Sequence, residues 1–362
     1  MIEPIYRPDA PATAPHTLML VSARADGRLR DEVQGQARPR PEFLHLAQTY
    51  GVELLDWSQL PAGPNGRSHR QSVRHVIAAL RRLKDYEVVF SDGEHLGIPL
   101  SLAMRRLGIT TPHLTIGHHL TTATKKPFFR WLGADQRISR ILVHSRNQLE
   151  LAQRRLGISG ARLAYIPYFV DSAFWRPRPD PEDSLIVSAG LEHRDYLTLA
   201  RACSGLPERV LIASGSLHSP RARCRMPEVL PPGFEIGFAT YGTLRGWYAR
   251  ASLVVIPLMQ NDFQAGVTSL LEAMAMGKAV IVTATDGQGD VVEHGVTGLL
   301  VPPSDAGELR RVIRWLLAHP AERARLGANA RRAVENEFSL EKYTSRLAAH
   351  LREVATVAPA AA

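Results

Sequence analysis

No run of eighteen apolar residues occurs in this 362-residue chain, and a membrane-spanning helix needs about that many. Residues 1–15 are rich in Pro and Ala and lack the apolar stretch of a signal peptide. Both absences predict a cytosolic protein. Cysteine is scarce: Cys203 and Cys224 match no metal motif and cannot form a disulfide framework for a chain this long. They read as packing residues in a reducing compartment. With no metal-ligand cluster in view, neither a metal ion nor another cofactor is expected. Acidic residues are in deficit, 35 against 44 Lys and Arg, for a net charge of +9. The basic residues are scattered and carry no nucleic-acid motif, so nucleic acid is not an expected partner. The balance suits a phosphate-rich ligand or an anionic membrane surface, or reflects only a GC-rich genome that favours arginine.

What is present is an alternation. Short apolar runs at residues 17–22, 52–56, 87–91, 113–116, 141–144 and 163–166 read as strands. Helix-like segments at 41–50, 71–83, 98–107 and 148–156 lie between them. After Trp175 the run Arg-Pro-Arg-Pro-Asp-Pro-Glu-Asp disfavours helix and suits an exposed connection. The alternation then restarts, with strands at 185–188, 210–213, 253–256, 279–283 and 299–301. Helices are expected at 196–203, 243–249, 269–276, 306–318, 321–337 and 340–354. This is an α/β chain of two similar units, expected at 1–172 and 173–338, with a final helix and frayed tail over 339–362. Two such units enclose a cleft, and clefts favour ligand sites.

The chemistry is expected in residues 261–303. The strand 253–256 ends at Pro257, and a loop then leads to a helix closed by Gly277. Loops at the carboxyl ends of parallel strands are where open α/β sheets bind ligands. Gly266, Val267, Thr268 and Ser269 place a flexible residue and two hydroxyls at the helix start, where free N–H groups and the helix dipole suit a diphosphate. Thr268 or Ser269 serving only as an N-cap is the simpler reading of those two alone. Glu272, expected in the first turn, is placed to accept from the vicinal hydroxyls of a ribose. Its simpler role is a favourable charge at a helix N-terminus.

Residues Gln264-Ala265-Gly266-Val267-Thr268-Ser269-Leu270-Leu271-Glu272 and the turn Gly277-Lys278-Ala279 resemble the carboxyl-domain signature of the family 4 glycosyltransferases. That resemblance implies the GT-B architecture, two Rossmann-like doubly wound domains facing a cleft, with the last helix crossing back to the first domain. It also implies a retaining sugar transfer from a nucleotide-sugar donor to a hydroxyl acceptor. In the family pattern Glu272 holds the ribose. The position of the first acid, near the donor sugar, is here Gln264, which keeps an acceptor but brings no negative charge.

Gly190-Leu191-Glu192-His193-Arg194 resembles the family's first strand-to-helix turn in the donor domain. Leu191 stands where many members carry an arginine, which leaves Arg194 as the cation for the donor phosphates. A surface pair between Arg194 and Asp195 is its simpler role. Lys278 is a second candidate cation, or a charge at the helix C-terminus. Residues 22–27 lack the glycine pair with which many relatives open.

On the acceptor side Gly117-His118-His119 ends a strand where the family often places a histidine facing the donor sugar. His118 and His119 are both open to that role, and Asp92-Gly93-Glu94 is a weaker candidate of the same kind. Lys125-Lys126-Pro127-Phe128-Phe129-Arg130-Trp131-Leu132 mixes cations and aromatics as peripheral membrane segments do, at the inner face for a cytosolic chain. Packing on its own sheet is the simpler account of it. Two other functions stay open: a nucleotide-sugar epimerase of the same fold, and a binding protein that has lost catalysis, which Gln264 and Leu191 motivate.

Overall fold

A computed structural model describes residues 13–60, 69–214 and 224–356. The chain runs β1 (Thr17–Val21), α1 (Gly27–Gln34), α2 (Glu42–Tyr50), β2 (Glu53–Asp56), α3 (His69–Leu80), β3 (Val88–Ser91), α4 (Glu94–Leu107), β4 (His113–Ile116), α5 (Lys126–Arg130), β5 (Arg140–Val143), α6 (Arg146–Leu151) and β6 (Leu163–Tyr165). It continues through β7 (Leu185–Ala189), β8 (Arg194–Asp195), α7 (Tyr196–Cys203), β9 (Arg209–Ala213), β10 (Cys224–Arg225), β11 (Phe234–Gly237), α8 (Tyr241–Arg250) and β12 (Leu253–Ile256). The remainder is α9 (Val267–Ala275), β13 (Val280–Thr283), β14 (Leu299–Val301), α10 (Ala306–Ala318), α11 (Pro320–Ala333) and α12 (Leu340–Thr356).

Two six-stranded parallel sheets result, in the orders β2-β1-β3-β4-β5-β6 and β11-β9-β7-β12-β13-β14. Strands such as Leu253-Val254-Val255-Ile256 are buried at every position because helices cover both faces. That double burial is why they read as continuous apolar runs. Cys203 packs in the same core, and burial pushes its thiol up to about 12.

The two halves are joined twice. Val170 donates its N–H to Phe338 (2.8 Å) and accepts from Leu340 (3.0 Å), so the outgoing and returning chains are pinned side by side. Beside them Arg40 forms a fork onto Asp171 (2.6 and 3.1 Å) and also reaches Glu341 at 2.7 Å. From there α12 returns to the first sheet, burying Tyr343, Leu347 and Leu351 with Met19 and Val21. The tail expected beyond it lies outside the described residues.

Several boundaries differ from the sequence reading for identifiable reasons. Helix α4 begins at Glu94 rather than 98 and carries Pro99 in its interior. Helix α9 begins at Val267 because Gly266, at φ 77°, turns the chain without a side-chain cap. β11, with its half-exposed pattern at a sheet edge, and the polar α1, which buries only Leu29, offered no apolar run to read.

Candidate functional site: the crevice between β7 and β12

The second sheet reverses its strand order between β7 and β12, so the loops after these two strands diverge and leave a crevice at their carboxyl ends. One loop carries Gly190 and Arg194. The other carries Gln264 and Gly266 and ends in α9. The first bond of α9 runs from Leu270 N–H to the Gly266 carbonyl (3.0 Å). The amides of Val267, Thr268 and Ser269 precede that bond and have no acceptor within the helix. Neither Thr268 nor Ser269 is the N-cap; both lie inside the first turn, with hydroxyls beside the crevice. Three open donors at the positive end of a dipole form an anion site.

Arg194 completes this site in an unexpected manner. Its guanidinium is buried, donating from Nε and Nη2 to the Ala189 carbonyl (2.9 and 2.7 Å), from Nη1 to Glu192 O (2.8 Å) and from Nη2 to Ser269 Oγ (3.4 Å). All three acceptors of these four bonds are uncharged. The surface pair with Asp195 does not form; Asp195 caps α7 through Thr198 N–H (3.2 Å) and takes Arg225 at 3.4 Å. Arg194 therefore adds an uncompensated positive field at the start of α9 rather than a free fork. It also explains two glycines. A Cβ on Gly190 or Gly266, both at positive φ, would stand 2.6 or 2.8 Å from the guanidinium nitrogens.

Glu272 is the sixth residue of α9, in the second turn rather than the first. It is buried, and desolvation raises its carboxyl to about 8, opposed by a Tyr248 hydrogen bond and the charge of Arg194. Tyr168, Tyr241 and Tyr248 lie near enough to feel its charge. An acid held neutral among phenols gains by meeting hydroxyl donors that stabilise its ionised form.

Gln264 donates Nε2–H to the Gly287 carbonyl at 2.9 Å, and Gln288 donates its own Nε2–H to the Ala265 carbonyl at 2.9 Å. Each amide thus ties its loop to the other's main chain. Both Oε1 atoms are buried without a partner. The position of the family's first acid is built around an amide, because a carboxylate there would oppose the Gly287 carbonyl.

The first half supplies the facing wall. Glu94 accepts from the main-chain N–H of His118 (2.9 Å) and His119 (3.1 Å) and pairs with Lys125, which holds the His118–His119 turn open toward the second half. The two histidines then part. His118 Nε2 donates to the Asp92 carbonyl (2.9 Å), which leaves Nδ1 as an acceptor. His119 crosses to the second half, with its ring edge-on to Phe263 at 4.8 Å and Nε2 3.8 Å from Glu192. Burial lowers the His119 pKa, so this last contact joins a neutral imidazole to a carboxylate.

Asp92 sits where the first sheet reverses between β1 and β3. It accepts from Ser22 N–H and from Ser22 Oγ at 2.9 Å, and Ser22 Oγ also meets His95 at 2.6 Å. Glu42 is near enough to feel its charge; burial raises the Glu42 carboxyl to about 7.

Lys278 does not join the site. It follows the far end of α9, about 13 Å from the amide cluster at 1.5 Å per residue, where Glu182, Arg323 and Asp180 are its charged neighbours. A cavity of about 310 Å³ also lies elsewhere, by Ser184 and Arg209 at the amino ends of β7 and β9. Tyr168, Tyr248 and Gln288 escaped the sequence reading because no local pattern links them to α9. Tyr168 reaches it from the connection between the sheets, touching Thr268 on one side and His144 edge-on at 4.8 Å on the other.

The profile of the family described as glycosyl transferases group 1 matches residues 234–333. The lipopolysaccharide core biosynthesis mannosyltransferase LpcC of Rhizobium leguminosarum bv. viciae is 37% identical over 103 residues, 28% of each chain. The alpha-D-kanosaminyltransferase of Streptomyces kanamyceticus is 28% identical over 189 residues, 52% of this chain and 42% of that one. The matched stretches thus span well under half of these relatives. In fold, the sucrose-phosphate synthase of Thermosynechococcus elongatus superposes with a TM-score of 0.71 at 20% identity, covering 94% of this chain and 99% of that one. Anabaena HepE, in complex with UDP and glucose, gives 0.67 at 15% identity over 93% and 99%. The segment around α9 thus matches the group 1 glycosyl transferases, and the fold, two Rossmann-like parallel sheets with a carboxyl-terminal helix packed on the first, is that of the GT-B architecture.

Proposed function

We propose that the chain transfers a hexose-type sugar from a nucleoside-diphosphate donor to a hydroxyl acceptor with retention at the anomeric carbon. The observation that carries this reading is the meeting of the Val267–Ser269 amides, Arg194 and Glu272 at the strand-order reversal of the second sheet. The domains would be 1–172 on the acceptor side, 173–338 on the donor side and 339–362 returning to the first.

In the reaction the C1–O bond to the diphosphate breaks and a bond from the acceptor oxygen to C1 forms on the same face. The acceptor proton passes to the departing phosphate oxygen. The protein's part would be electrostatic: the amides and Arg194 stabilise the charge that builds on the diphosphate. Glu272 would hold the ribose, Gln264 Oε1 a sugar hydroxyl, and His118 or His119 the sugar from across the cleft. His119 is favoured because its ring reaches Phe263 and Glu192 of the second half. The Anabaena protein HepE has been captured with UDP-glucose, which makes UDP a natural first nucleotide to try. The chain would act in the cytoplasm, in contact with the inner face of the membrane.

A thermal-shift screen of UDP-, GDP-, ADP- and dTDP-sugars tests the donor site. Ligand at 100 times its Kd adds about 2.7 kcal/mol of stability, so one nucleotide should raise Tm clearly above the rest, and a flat response to all four would sink the reading. Gln264 keeps a second reading in play, a binding protein without turnover; it predicts the same shift but no donor consumption with any acceptor. Incubation with donor alone separates epimerisation, which needs no acceptor.

A further inference from the structure

From His95 to Ala134 the sequence contains no Asp or Glu, yet it carries Arg105, Arg106, Lys125, Lys126 and Arg130. The fold brings the ends of this stretch together. Arg105, in the last turn of α4, donates to the Leu132 carbonyl at 2.9 Å, so Arg106 and Leu107 lie beside the residues that follow α5. Lys125 is consumed internally by Glu94 and the His119 carbonyl. Among the described residues no carboxylate pairs with Arg105, Arg106, Lys126 or Arg130.

The same patch exposes large apolar side chains. Trp131 is 82% exposed, Leu107 61%, Leu132 49% and Phe128 38%, while Phe129 is buried and anchors the short helix to its sheet. A helix that merely packed on its sheet would bury such residues. Only Phe129 behaves that way.

We infer that this face, Arg105–Leu107 together with Lys126–Leu132, docks on an anionic lipid bilayer. This deepens the membrane contact proposed for the chain and rests on no step of the transfer. Trp at a polar–apolar boundary and Leu beside it enter the headgroup region, and unpaired cations around them meet the negative surface potential. A second copy of the chain is a poor occupant, since like charges would face each other. Leu107 and Leu132, exposed beside Trp131, add aliphatic surface that suits acyl chains rather than bases. The docked segment leads directly into the turn that carries His118 and His119, because Lys125 ties both to Glu94. The acceptor side of the cleft therefore sits next to the lipid surface.

The test is vesicle co-sedimentation of the full chain with phosphatidylcholine alone and with phosphatidylcholine containing phosphatidylglycerol, at low and high salt. Strong binding to the anionic vesicles only, screened by salt, is expected. Trp131→Ala should weaken it about fivefold and the double variant Lys126→Glu/Arg130→Glu more than about tenfold. Both variants should keep the wild-type Tm and nucleotide response, since these side chains are exposed. Equal binding to neutral and anionic vesicles, variants that bind like wild type, or no vesicle binding with self-association or capture of an acidic protein instead, would each overturn the inference.

Discussion

The two sheets reverse strand order in the same way but furnish the crevice differently. Between β7 and β12 the chain gathers three free amides, a buried arginine bonded only to uncharged acceptors, and one carboxyl that burial holds neutral. Between β1 and β3 it gathers Ser22, Asp92 and Glu42, and the nearby cation Lys125 is already neutralised by Glu94. The first crevice presents donors that suit an anion, and the second presents acceptors that suit hydroxyls. A diphosphate donor would bind to the former, and an acceptor carrying its own phosphate would be poorly matched to the latter.

The contrast can be broken most severely at Glu272. Glu272→Ala removes two charge-assisted hydrogen bonds to a ribose, so kcat/KM should fall about 100- to 1000-fold, roughly 3–4 kcal/mol. Tm should hold or rise, because an acid that burial penalises has gone. Unchanged kinetics would remove the ribose role. Gly266→Ala comes next. It forces a Cβ into positive φ and against Arg194, costing about 2–3 kcal/mol of stability, with donor affinity lost as well. Gly93→Ala, in extended backbone and facing the side chains of His95 and His118 rather than main chain, should cost visibly less. A denaturation series on the two variants compares the crevices directly.

Gln264→Glu is expected to lower stability by about 1–2 kcal/mol, since a carboxylate then faces the Gly287 carbonyl, and to gain no activity. A gain would mean that the amide is a loss rather than an adaptation.

Glu272 also sets a pH dependence. Between its ordinary value of 4.5 and its native value of about 8 the folded state keeps a proton that the unfolded state releases. Stability from this group is therefore complete below 4.5 and declines as pH rises to about 8, by up to about 1.4 kcal/mol per pH unit. Glu272→Gln should flatten that slope in melts recorded from pH 5 to 9, and an identical slope in both proteins would contradict the assigned environment. The smallest effect is expected in the first crevice: Asp92→Asn should raise the acceptor KM about fivefold, near 1 kcal/mol, and leave nucleotide affinity unchanged.

How much of this was legible depended on whether a feature is local. The strands 113–116, 253–256 and 299–301 and the helices 196–203 and 306–318 have in the structure the bounds that their apolar pattern implies. The stretch from Gln264 to Glu272 could likewise be read as one motif on one loop and helix. Placing the helix start at Ser269 put Glu272 a turn too early, because a glycine N-cap at positive φ leaves no side-chain signature. The order of the strands, the phenols around Glu272 and the mutual tie of Gln264 and Gln288 arise from residues dozens of positions apart. Lys278 looked useful because it is close in sequence, yet the length of α9 carries it to the other end.

The most direct measurement is a crystal structure with the nucleoside diphosphate that stabilises the protein best. The account predicts phosphate oxygens within hydrogen-bond distance of the Val267, Thr268 and Ser269 amides and the ribose diol on Glu272. Phosphates bound between β1 and β3 instead, or a ribose remote from Glu272, would contradict it.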